Sequence, residues 1–96
     1  GAGLKGKVAA AAACGIPQVL SPTAAEATGL RHGQEVFVAR HPADWIEAIN
    51  TLMRDDHTWQ AMSQAAHSFA RSHYGRTQGL ALMREAFERL GLECSP

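Results

Sequence analysis

Ninety-six residues, 46% hydrophobic and 19% charged, suffice for one soluble domain with a modest core. Nine basic side chains balance nine acidic ones, which argues against a nucleic-acid binder, because no basic footprint is left to neutralise phosphates. No apolar run approaches the ~20 residues that cross a bilayer, so no transmembrane segment is expected.

The chain opens on Gly1-Ala2-Gly3-Leu4-Lys5-Gly6-Lys7, read here as a loop leading into a helix over Lys5 to Cys14. Five consecutive alanines support that helix, since alanine has the best helix propensity. The run is too short and too weakly apolar for a secretory signal. Gly15 supplies a C-terminal stop and Pro17 prevents continuation. Gln18 to Ser21 reads as a short buried parallel strand, ended by Pro22. Thr23 to Gln34 reads as a loop with at most one helical turn. Glu35 to Ala39, rich in β-branched and aromatic residues, is expected to be a second strand.

Three helices are expected to follow. In the first, Pro42 suits the opening turn, and Trp45, Ile46, Ile49, Leu52 and Met53 share a face. Asp55 or Asp56 caps the second, where Trp59, Met62, Ala66, Phe69 and His73 recur at steps of three and four. Tyr74-Gly75 breaks it. The third runs from about Thr77 to Leu90, with Leu80, Met83, Phe87 and Leu90 as its stripe and Gly91 as its close.

The expected fold is therefore α/β: a partial Rossmann-like parallel sheet of about two strands, followed by three C-terminal helices. We read residues 1–96 as a single domain, with 75–96 as a terminal helix and tail. Two short strands cannot make a stable doubly wound sheet alone, so a C-terminal piece of a larger protein is expected. Aromatic and methionine stripes left uncovered in such a piece favour self-association.

Cys14 and Cys94 can pair, but a reduced, cytoplasmic protein is the expectation. The histidines His32, His41, His57, His67 and His73 have no metal-ligand spacing, and no metal is expected. For the glycine pattern, one reading is a dinucleotide fingerprint: Gly1, Gly3 and Gly6 satisfy G-x-G-x-x-G, and Glu26 lies twenty residues beyond Gly6. Against it, Glu26 sits several residues past the first strand, and the strand–helix alternation stops after the second.

Another reading uses the whole front half. Gly1 to Lys7 as G-x-G-x-K-x-K, Ala13-Cys14-Gly15-Ile16-Pro17, Val19, Glu35 to Ala39, Ala48-Ile49-Asn50-Thr51-Leu52 and Asp55 are collinear over residues 1 to 74. Together they resemble the C-terminal donor-binding domain of retaining GT-B glycosyltransferases. The resemblance implies a nucleotide-sugar donor and a glycan, lipid or small-molecule acceptor, with no further cofactor. It makes residues 1–74 part of the donor domain and implies a cytoplasmic or membrane-peripheral parent. Its diphosphate ligands would be Gly3, Leu4, Lys5, Gly6 and Lys7, from backbone amides at a helix start and two cations. Ser21 and Glu26 are candidates for the sugar and ribose. One departure stands out: Ala2 and Ala10 occupy positions where the family places glutamates, and Ala10 leaves the ribose without its carboxylate. A degenerate, non-catalytic module retained for assembly is the alternative. Catalytic residues are not assigned, and the piece alone is expected to be inactive.

Overall fold

The computed structural model describes the backbone of residues 2–74 and the side chains of residues 5–74. The expected helix over 77–90, and Cys94, lie outside the described residues. In chain order the elements are α1 (Ala2–Ala13), β1 (Gln18–Leu20), α2 (Pro22–Thr28), β2 (Val36–Val38), α3 (Pro42–Arg54) and α4 (Asp56–His73). The two strands pair in parallel, with Gln18 opposite Val36, Val19 opposite Phe37 and Leu20 opposite Val38. The expected α/β class with a two-stranded parallel sheet is what the chain forms, and helices dominate it.

α1 starts at Ala2, so the glycine-rich opening is helical from its second residue and is not the loop expected from its composition. Gly6 is buried. The alanines explain where the helix sits, because α1 packs chiefly on α4 and also on α2. Val8, Ala9, Ala10 and Ala12 are all buried, and only short side chains allow helices to approach so closely. Val8 and Ala12 join Leu20, Ala25, Leu30, Val36, Ala66, Phe69 and Ala70 in one core cluster.

The exit of α1 follows the expected glycine stop in detail. Ile16 N–H bonds to Ala11 C=O at 3.0 Å and Gly15 N–H to Ala12 C=O at 2.9 Å, the paired bonds of a Schellman cap. Gly15 adopts φ +72°, and a Cβ there would lie 2.9 Å from Ser63 Oγ. Cys14, just before it, is disulfide-bonded, which corrects the reduced thiol expected from the sequence.

Residues 22–28 form a two-turn helix where a loop was expected. Ser21 is its N-cap, accepting from Ala24 N–H at 3.2 Å, Pro22 occupies the first turn, and Gly29 closes it at φ +79°. The proline that ends β1 thus begins α2.

The outer edge of β2 is closed by the loop before it. Gly33 N–H donates to Val36 C=O at 2.8 Å, Val36 N–H to Arg31 C=O at 3.3 Å, and Val38 N–H to His32 Nδ1 at 2.9 Å. On the inner side, Ala39 N–H bonds to Leu20 C=O at 2.9 Å. In a parallel pair alternate residues face the partner, so Val19 turns its own N–H and C=O away from β2. β1 has no second partner among the described residues.

α3 and α4 form where expected, and Asp55 caps α4 through Thr58 N–H at 3.1 Å. The apolar face of α3 forms as expected and stays largely exposed. Ala48 is its buried residue, whereas Ile46 is 62% exposed, Ile49 46% and Met53 77%, with Trp59 of α4 at 43%. Periodicity identified that face, but nothing among the described residues covers it.

Candidate functional site

α1 reverses into β1 through a short turn, and Gln18 Nε2 donates back to Val8 C=O at 3.1 Å. The helix therefore runs antiparallel to the strand, and its N-terminus points toward the end of the sheet where β1 and β2 finish. The same end holds Ser21, after β1, and Arg40 and His41, after β2. Carboxyl ends of parallel strands are where open α/β sheets bind ligands, since helix starts gather there with unpaired N–H groups.

The expected diphosphate ligands now have definite places. Ala2, Gly3 and Leu4 form the first turn of α1, whose amides have no acceptor within the helix. Lys5 and Lys7 are both exposed. They stand two residues apart on a helix, about 200° around its axis, so the helix does not aim them at one point. Gly6 lies on the buried side between them.

The expected ribose and sugar ligands are not brought together. Ser21 Oγ accepts the Ala24 N–H as the N-cap of α2. Glu26 is exposed one and a half turns further along, roughly 140° around the same axis. Ala10, at the position of the absent acid, is 1% exposed.

Two carboxylates and one ion pair order the surrounding backbone. Asp44 Oδ2 accepts N–H groups of His41 at 3.1 Å and Arg40 at 3.3 Å. These hydrogen bonds, the His41 one foremost, hold its carboxyl below the usual aspartate range. Asp55 is lowered in the same way, first by the Thr58 N–H and then by its hydroxyl. Glu35 is buried at 2% exposure and accepts from Arg31 N–H, Nε and Nη2 at 3.1, 3.1 and 2.9 Å. The Glu35 carboxylate, chiefly through these side-chain bonds, raises the Arg31 guanidinium further. This pair locks the 31–35 turn and is structural.

A family profile described as "Glycosyl transferase-like" matches residues 1–83. The chain belongs to that glycosyl transferase-like family. No curated protein and no solved structure matches this glycosyl transferase-like chain. A sugar donor fits the family, and no helix among the described residues is long and apolar enough to cross a membrane. Among the described residues no group of three or more His, Cys, Asp or Glu is placed to hold a metal ion.

Sequence reasoning missed a second concave surface of this family member. Between β2 and α3, Phe37, Arg40, Asp44, Glu47 and Thr51 line a groove with His32. A loop, a strand and a helix contribute these residues, so no short motif announces them.

Proposed function

We propose that the chain supplies part of the donor-binding domain of a retaining GT-B glycosyltransferase, which moves a sugar from a nucleoside diphosphate to a glycan, lipid or small-molecule acceptor. The observation that carries this reading is the family match, beginning at the helix whose free N-terminal amides open toward the carboxyl ends of both strands. Amides of the first turn of α1, Gly3 and Leu4 among them, would meet the diphosphate with Lys5 or Lys7 as cation, and the positive end of α1 would stabilise charge growing on the departing nucleotide. Of the two lysines, one reaches the phosphates and the other stays in solvent, because they diverge around the helix. Ser21 keeps hydroxyl capacity beyond its capping bond and is the nearer sugar candidate. Glu26 would reach the ribose only from the far side of α2.

Isothermal titration with UDP, GDP and their glucose and mannose conjugates tests the reading. Saturable binding, weakened at least fivefold by either Lys5→Ala or Lys7→Ala, supports it. No turnover is expected from the 96 residues with donor and acceptor, and measurable transfer would overturn that part.

Ala10 favours a second reading, a degenerate module kept for assembly. Alanine at this position supplies no carboxylate for the ribose. Absence of any nucleotide binding in the titration selects this alternative.

A further inference from the structure

We propose that the exposed face of α3 pairs with the same face of a second copy of this chain, the two helices running antiparallel about a two-fold axis near Asn50. This pairing uses none of the residues assigned to the sugar donor and stands apart from that reading. Ile46, Ile49 and Met53 fall within about 60° of one another around the helix, and all three are exposed. Ala48, through which α3 packs inward, lies more than about 100° away from the middle of that stripe. A stripe so narrow is the kind that seams one helix to another, whereas a face sunk in a core is broader.

The charges beside the stripe choose the occupant. Glu47 and Arg54 share one flank of α3, each about 100° on from the apolar residue it follows. Both are exposed, and neither side chain makes an ion pair or a hydrogen bond among the described residues. Seven residues apart, they stand about 10 Å from each other along the axis, too far to pair within one helix.

A two-fold axis at right angles to α3 reverses the direction of the helix and keeps the flank. Centred near Asn50, it sets Glu47 beside Arg54 of the second copy, and Arg54 beside Glu47 of the second copy. The same axis sets Ile46 opposite Met53, because both pairs have nearly the same midpoint in the sequence. Asn50 then faces its own copy, and a carboxamide both donates and accepts, so the two can bond to each other. A parallel pairing would set Glu47 beside Glu47 and Arg54 beside Arg54, which like charges disfavour. The surface is therefore complementary to itself in one orientation. One pair of 13-residue helices falls short of the roughly 1,200 Å² of a standard interface, so the dimer is weak and forms at high protein concentration.

Sedimentation equilibrium of the 96-residue chain, from about 10 µM to about 1 mM, tests the pairing. A reversible monomer–dimer equilibrium is expected. Glu47→Arg or Arg54→Glu alone should weaken it about tenfold or more, since each brings like charges together. The double variant E47R/R54E should return to within about threefold of the unsubstituted chain, a rescue that general stickiness of an apolar surface does not give. Both positions are exposed, and circular dichroism checks that each variant is folded. A chain that stays monomeric throughout overturns the proposal and leaves the stripe to another segment of the chain or to a different protein. Association that ignores the single reversals, or that the double variant fails to restore, also overturns it and moves the contact to another surface, the open edge of β1 first.

Discussion

Ser63, in the middle of α4, donates its hydroxyl proton to the carbonyl of Gly15, 48 residues earlier in the chain. One hydrogen bond thus ties the longest helix to the turn that ends α1. The same hydroxyl fills the space a Gly15 side chain would need.

Gly15→Ala should be costly for two additive reasons. A left-handed conformation costs a non-glycine residue roughly 1–2 kcal/mol, and the new methyl must displace Ser63 Oγ. Thermal unfolding should fall by more than about 5 °C, since ~1 kcal/mol shifts a domain of this size by about 4–8 °C. Ser63→Ala alone should cost about 1 kcal/mol, the net worth of one hydrogen bond. In the double variant the two losses should sum to less than their total, because removing Oγ makes room for the methyl. Strict additivity would show that the two residues do not meet.

Acid should weaken the fold through Asp44 and Asp55. Both carboxyls are lowered in the folded chain by hydrogen bonds from backbone N–H groups, so the folded state binds protons less readily than the unfolded one. Their contribution is present above the unfolded aspartate value of about 3.9 and is lost as pH falls through the lower folded values. Urea midpoints measured from pH 6 down to pH 2.5 should drop most steeply below about pH 4. The drop should be shallower in Asp44→Asn and Asp55→Asn, and an unchanged slope in both would refute the assignment.

Arg31→Ala should lower stability more than loss of an ordinary surface ion pair would, because it removes two donors from a buried carboxylate. An exposed ion pair would give less than ~1 kcal/mol. Arg31→Lys should recover only part of the loss, since lysine cannot reproduce the two-pronged geometry. Equilibrium urea unfolding separates these outcomes.

Restoring the acid at position 10 should harm the chain rather than repair its site. Ala10→Glu inserts a carboxylate at a position of α1 that is 1% exposed. A loss of several °C in melting temperature, with no gain in UDP affinity, is expected. Tighter UDP binding at unchanged stability would show that the position faces the donor after all.

The sequence made the strands and the later helices legible because their signals are local: β-branched runs, Pro42 in a first turn, Asp55 ahead of a stripe. α2 was legible too, in Ser21-Pro22 followed seven residues later by Gly29, but the density of alanine and polar residues read as loop. The start of α1 was not, because glycines suggest a loop whereas here they are simply carried in a helix. Periodicity gave the apolar face of α3 without saying what covers it, and Ile46 and Met53 on that face are exposed. The candidate site divides similarly. Gly3 to Lys7 follow from a contiguous motif, whereas Phe37, Arg40 and Glu47 meet only through the strand–helix crossing.

The turn that folds residues 31–35 over β2 makes the sheet directional. The Val36 N–H and C=O and the Val38 N–H on that side are already spent, so among the described residues the open edge of the sheet lies alongside Val19. If two chains pair by that route, each has used the open edge of its described sheet, and the ladder stops at two copies instead of growing into a fibre. The His32 ring on Val38 is thus a terminator as well as a wall of the groove.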